Sequence, residues 1–414
     1  MRELVVSLRF APDDVRRVGV LAEAARSVWF EFDPAYEGPE LSPYALPRDG
    51  PRLREHRASV GVPIPGVFND ARPDGWGLRL LHRAFQIHGR PASSVSALEE
   101  LAWLGDTTMG ALAFEPATGP SGRFDDVVAL AALAAHARKV YEGAVEDVLP
   151  ELIRAGGSPG GARPKALVAL RDDDAPGVRF GEGEIGPGWH AWLVKFPAPQ
   201  EDRDVGRREK AWMDLAEAAG IDVPPRRVLG LRGVGDAFAV RRFDRGDGGA
   251  RAHILSAAGA LDADFRTAFT DYRELLRLTA RICAGDQTEV AAMFRRCVFN
   301  VVASNDDDHL KNFAFRLTAG GPWRLAPGYD LTFSPAAART TTVLGVERDV
   351  DRPTVLALAA AGGLPARRAV AIVDEVVAAA GAIGGHARAA GATNRVSRAA
   401  VRVVEANAAR LAGA

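Results

Sequence analysis

The sequence predicts an α+β fold: a β-rich N-terminal part, a middle part of sheet and helix, and a mostly helical C-terminal part. Three observations carry this. Strict period-two alternation occurs near the start, as in SVWFEFD at 27–33, where Val28, Phe30 and Phe32 share one face. The middle reads strand (ALVAL), strand (WHAWLVKF), helix, strand (RRVLGL), strand (AFAVRRF), which is the order of an antiparallel layer rather than a doubly wound sheet. Beyond residue 251 helical spacing dominates. At 414 residues the chain has room for two or three domains, and these changes of pattern divide it at 1–118, 119–250 and 251–414.

In chain order, LVVSLRF reads as a first strand and EGPELSPYALPRDGP as a proline-rich loop. Asp74 is the expected N-cap of a helix over 75–86, with Trp76, Leu80, Leu81 and Phe85 on its inner side. A second helix is expected over 94–104 and a short strand in GALAFEP. The middle part opens with helices over 125–141 and 146–155, then the loop AGGSPGGARPK. Its later helix, 205–219, is stopped by Gly220 and by Pro224–Pro225. C-terminal helices are expected over 269–283, 286–303, 352–361, 365–380 and 396–412, with one hairpin, FAFRL–TAGGP–WRLAP, between them.

Composition narrows the function. Fifty-two basic and 53 acidic residues give a net charge of −1, which excludes nucleic-acid binding by bulk charge; 47% hydrophobic residues exclude wholesale disorder. The two cysteines, Cys283 and Cys297, build neither a disulfide framework nor a cysteine-rich zinc site and fit a reducing compartment. The segment MRELVVSLRF is too short and too charged for a signal peptide, and no apolar run reaches membrane length. The expectation is a soluble cytoplasmic protein with no membrane partner. Only five of the 52 basic residues are lysine, so a lysine at a structured position points to a need for a compact charge.

The densest chemistry lies in SNDDDHLKN, 304–312. Three consecutive aspartates repel one another, so the run reads as an uncompensated cluster awaiting a cation or a reacting hydroxyl. Asp307 and Asn312 stand five apart, the spacing of base and metal ligand in the D-x-x-x-x-N loop of protein kinases, with Lys311 between them as a compact positive charge. Asp330, eighteen residues on and across the hairpin, could share Mg²⁺ with Asn312. The loop 156–165 is glycine-rich enough to offer backbone N–H groups to phosphate, although it is neither a Walker A loop nor G-x-G-x-x-G. Lys195 ends an apolar strand, with Glu209 or Glu217 as its partner on the following helix. Each feature alone has a plain structural reading: an acidic turn, a linker, an edge-strand lysine. Their order, glycine loop, strand lysine, base-plus-Asn loop, metal Asp, is that of a kinase.

At these residues the chain resembles the HipA family, the serine/threonine kinase toxins of bacterial type II toxin–antitoxin modules. PELSPYALPRDG, VFNDARPDGWGLRLL and LAWLGDTTMGALAF are similar to its N-terminal subdomain; GGSPGGARPKALV, LVKFP, VRRFDR, NDDDHLKNFAF and YDLTFS are similar to its kinase core. The resemblance implies a bilobal, protein-kinase-like fold. It implies Asp307 as base, with His309 and Lys311 completing its loop, and Asn312 and Asp330 as Mg²⁺ ligands. It further implies nucleotide contacts from Ser158, Gly160, Gly161, Ala162, Arg163, Lys165, Lys195 and the hinge Arg241, Arg242 and Phe243, with autophosphorylation of Ser158 ejecting the loop. The sequence departs from the family at Arg163 and Pro164, where G-x-Q-x-K is usual, at Arg241, where Glu usually begins the hinge, and at HILSAAGAL, which replaces an acidic turn.

The implied function is Mg²⁺/ATP-dependent phosphorylation of a protein, with aminoacyl-tRNA synthetases among the targets. The implied partner is a small helix-turn-helix antitoxin through which alone DNA is bound. Two other readings stay open: a catalytically weak homologue serving as corepressor, and a small-molecule kinase on the same fold.

Overall fold

The computed structural model describes residues 3–24, 27–120, 124–128, 130–142, 152, 160–172, 178–180 and 185–413. The N-terminal strands form one antiparallel sheet in the order Leu53–Arg57, Ser27–Phe32, Val15–Ala24, Glu3–Arg9, Leu112–Glu115. The alternation in Ser27–Phe32 is the alternation of burial: Val28, Phe30 and Phe32 point into the core. The second helix begins at Ala97 rather than 94. A capping box places it there, because Glu99 N donates to Ser96 Oγ while Ser96 N donates to the Glu99 carboxylate; residues Ala92–Ser94 form a 3-10 turn instead. The helix Gly75–Ile87 starts at the expected place and buries Trp76, Leu80, Leu81 and Phe85, yet the Asp74 side chain does not cap it.

The middle of the chain makes a six-stranded antiparallel sheet, ordered Arg226–Leu231, Gly235–Arg241, Trp189–Lys195, Lys165–Arg171, Val178–Phe180, Phe124–Val128. The helix expected over 125–141 is in fact the strand Phe124–Val128 followed by the helix Leu130–Tyr141; pairing with Val178–Phe180 outweighs helix propensity in FDDVV. The expected helix over 146–155 lies outside the described residues except for residue 152. Both faces of this sheet are buried. Ala237 and Ala239 join a core with Trp76, Leu80, Leu133 and Trp192, whereas Phe238 and Val240 face the helix Val205–Ala218 and the larger core that it shares with the C-terminal part.

That part is built around the buried helix Gln287–Ala303, flanked by Tyr272–Ile282, Ala366–Ala380 and Arg395–Ala412. The expected hairpin is present as Ala314–Leu317 and Arg324–Leu325, and His253–Ser256, in the HILS segment, adds a third strand to it. One short helix, Ile383–Ala389, was not expected: its sequence IGGHARA carries two glycines, which hide it from propensity. The fold is thus α+β, with a β-rich N-terminal subdomain and a mostly helical C-terminal lobe. Among the described residues no single helix is long and apolar enough to cross a membrane.

Candidate active site

The central helix ends at Ser304 in a left-handed conformation, φ 49°, which turns the chain sharply into the loop 305–312. Buried amides hold this corner from behind. Asn407 Nδ2 donates to Ser304 Oγ at 3.1 Å, Asn305 Nδ2 to Asn300 Oδ1 at 3.1 Å, and Asn300 Nδ2 to Tyr272 Oη at 2.8 Å. Of Asn300, Asn305 and Asn312, only Asn312 lines the cleft.

The three aspartates are not one uncompensated cluster. Asp306 accepts from Arg339 at 2.9 Å and from Ala336 N at 3.1 Å. Asp308 is fully buried and accepts from Tyr272 Oη at 2.7 Å, Arg339 at 2.9 Å and Thr341 N at 3.0 Å. Sequence spacing cannot show this, because Arg339 and Thr341 arrive from thirty residues away. Asp307 alone keeps an exposed carboxylate. Partial burial pushes that carboxyl up from its ordinary value, Asp330 and Asp308 push the same way, and His309 opposes them. His309 packs on Phe265, ring centroids 4.9 Å apart, and Lys311 Nζ lies 5.2 Å from the same ring.

Across the cleft, Lys195 is buried at the end of its strand with Nζ 2.6 Å from Glu209 Oε1 and in contact with Asp330 Oδ1. This settles the partner as Glu209, since Glu217 pairs with Arg226 at 2.7 Å. Asp330 sits at φ 54°, an unusual conformation for a side-chain-bearing residue, and it turns the carboxylate toward Lys195. Burial alone would raise its pKa, but Lys195 and then Lys165 hold it well below the usual carboxylate range. Lys165 is buried beneath Gly160, to whose carbonyl it donates; burial first, and the neighbouring Lys195 second, pull it down to about 8.

The described part of the glycine loop begins at Gly160; Ser158 lies outside the described residues. Gly160, Gly161 and Lys165 line the cleft, but Ala162 and Arg163 do not. Arg163 turns away to Glu209 Oε2 at 2.8 Å and Glu201 at 3.1 Å. At the other end, Arg241, Arg242 and Phe243 line an apolar wall with Leu193, Met213 and Val240. The Arg242 guanidinium is spent on buried Asp244, at 3.0 and 2.8 Å, so its side chain is structural there. Phe243 lies 5.7 Å from the Tyr329 ring, and Tyr329 Oη donates to Lys311 O at 2.6 Å, tying the hinge to the loop.

Asn312 Nδ2 donates to Asp307 O at 2.8 Å, which leaves its Oδ1 facing other partners. That oxygen and the ionised Asp330 suit Mg²⁺, which binds through one or two protein oxygens completed by phosphates and water rather than by a protein cage. No cage of three or more His, Cys, Asp or Glu side chains occurs among the described residues.

Two cleft residues escaped the sequence reading. Asp70 accepts from Ser256 N at 2.6 Å and Oγ at 2.7 Å, and Asp74 pairs with Lys311 at 2.8 Å; both come from the N-terminal part. A turn-like RPDG offers no sign of a partner 237 residues on.

Comparisons with known proteins bear on the family and the fold. A family model described as the HipA-like C-terminal domain matches residues 157–383, and one described as the HipA N-terminal domain matches 13–115. "Putative kinase Y4dM" of Sinorhizobium fredii is 29% identical over 283 residues, covering 65% of this chain and 62% of that protein. Y4mE of the same organism, named in the same way, is 30% identical over 202 residues, covering 44% and 46%. The matches thus span about half to three fifths of these relatives' length. A solved chain from the Shewanella oneidensis HipA–HipB–operator DNA complex aligns over 99% of this chain and 97% of its own, with a TM-score of 0.72 at 18% identity, a likeness of fold.

Proposed function

This chain belongs to the HipA family, and from that premise we propose that it is a Mg²⁺/ATP-dependent serine/threonine protein kinase, the toxin of a toxin–antitoxin pair. One observation carries the reading: Lys195, paired with Glu209, lines a single cleft with Asp330 and Asn312, charged at one end and apolar at the other, and the Asp307 carboxylate at its edge interacts electrostatically with Asp330. The apolar wall by Phe243 takes the adenine. Lys195, held in place by Glu209, and the N–H groups of the glycine loop take the phosphates. Mg²⁺, held by Asp330 and Asn312, would neutralise charge on the phosphate oxygens. Asp307 orients the acceptor hydroxyl and takes its proton; its raised pKa makes it a better base than an ordinary carboxylate. Chemistry of this kind asks the protein for positioning and charge, both present here.

The acceptor is a protein hydroxyl, with aminoacyl-tRNA synthetases the first class to test, and Ser158 a site of self-phosphorylation. A small helix-turn-helix antitoxin brings DNA to the complex, in keeping with a net charge of −1 that gives the isolated chain little hold on it. The HipB and operator DNA in the Shewanella complex support this partner. Transfer of labelled γ-phosphate from Mg²⁺-ATP to purified synthetases, set beside small hydroxyl metabolites, tests the reading. Label in a protein, with phosphate on Ser or Thr by mass spectrometry, is expected. Label only in metabolites would make it a small-molecule kinase, and no transfer at all would leave the corepressor role.

A further inference from the structure

Asp74 belongs to the N-terminal subdomain, yet its side chain is 5% exposed and lies at the phosphate end of the cleft. Its Oδ2 accepts from Lys311 Nζ at 2.8 Å, and its Oδ1 accepts from the backbone N–H of Gly161. A helix N-cap carboxylate ordinarily accepts from its own first turn; this one spends both oxygens on other segments. Its surroundings are built to hold it there. Trp76 N donates to Gly161 O at 2.9 Å and Trp76 Nε1 to Lys165 O at 2.8 Å. A Cβ on Gly160 would stand 2.9 Å from Asp74 Oδ2, and one on Gly75, at φ +45°, 2.4 Å from Gly161 O. Gly75 and Gly161 therefore meet backbone to backbone, and the Asp74 carboxylate lies between Gly160 and Lys311. Burial opposes its charge, but Lys311 and the Gly161 N–H outweigh burial and keep its pKa below the ordinary value, so it remains an anion.

We propose that Asp74 is an affinity-determining residue of the nucleotide site: its carboxylate occupies the seat of a nucleotide phosphate, consuming the Gly161 N–H and the Lys311 ammonium that the phosphate would otherwise use. ATP must exchange one of its phosphates for this internal anion, so part of the intrinsic affinity goes into displacing Asp74 or enduring its repulsion. The exchange keeps empty sites closed and charge-neutral, and it makes the N-terminal subdomain part of the nucleotide site. The proposal rests on the kinase reading, and its test separates the two.

The substitution Asp74→Asn keeps the shape and the acceptor for Gly161 while removing the charge. Calorimetric titration of the full chain with Mg²⁺-ATP and with adenosine should give roughly tenfold tighter binding of ATP in Asp74→Asn, the scale of removing one like charge a few ångströms away in a partly screened cleft, with adenosine unchanged. Unchanged or weaker ATP binding in a variant whose melting and adenosine binding are normal overturns the proposal. Should Asp74→Asn fail to fold, Asp74→Ser supplies the same comparison. If the unmodified chain binds neither adenosine nor ATP, the kinase reading itself fails, whatever Asp74 does.

Discussion

The two sides of the cleft are held in place by opposite means. On the helical side, the loop 305–312 is fixed from behind by its own lobe: Arg339, Thr341 and Tyr272 grip Asp306 and Asp308, and this leaves Asp307 as the one open carboxylate. On the sheet side, the 160–165 segment is fixed from outside, by Asp74 and Trp76 of the N-terminal subdomain. The position of Asp307 is therefore set mainly within the helical lobe, and Lys311 at the far end of the loop reaches across to Asp74. The 160–165 segment on the sheet side takes part of its shape from a second subdomain.

The largest effect that could break this contrast is at Asp307. Asp307→Asn should lower phosphoryl transfer about 10²–10⁴-fold, the range for losing a general base, while urea unfolding and ATP affinity stay near wild type. A quench assay at saturating Mg²⁺-ATP reads it; full activity would remove Asp307 from the role. Next comes Arg339→Met, which strips the partner from buried Asp308 and should cost about 3–5 kcal/mol of stability in urea unfolding. A change under 1 kcal/mol would mean that the loop is not locked from behind.

On the sheet side, Trp76→Phe deletes the indole donor to Lys165 O and leaves a buried carbonyl unpaired. We expect a loss of about 1–3 kcal/mol, measured by the same unfolding experiment. The smallest effect is a pH slope. Lys165 is a base whose pKa falls from 10.5 to about 8 on folding, so between those values the unfolded chain binds more protons and stability rises with pH. Below about 8 both states are protonated and the burial cost is fully felt. The slope should be at most about 1.4 kcal/mol per pH unit and should vanish in Lys165→Met; identical slopes in both proteins would show that Lys165 does not titrate as described.

Much of this was legible in the sequence, because local chemistry leaves local marks. The loop 304–312, the strand lysine and Asp330 are readable from spacing, and the alternation of Val28, Phe30 and Phe32 gave a strand. What stayed hidden depends on distant pairing. Asp306 and Asp308 looked like free charge until Arg339 arrived to compensate them, and FDDVV looked helical until Val178–Phe180 offered it an edge. Asp74 does stand at the N-cap, but its side chain's partners, Gly161 and Lys311, are too distant in the chain to be read. Arg163 stands among the nucleotide contacts that the resemblance implies, whereas Glu201 and Glu209 hold its guanidinium away from the cleft.

The most direct test of the cleft as a Mg²⁺-nucleotide site is calorimetric titration of ATP with and without Mg²⁺, in the wild type and in Asp330→Ala. The wild type should bind ATP tightly only with Mg²⁺, and Asp330→Ala should lose that metal dependence, because the variant removes a hard oxygen ligand and the carboxylate that Lys195 faces. An Asp330→Ala protein that folds normally and keeps the wild-type Mg²⁺ dependence would contradict the assignment.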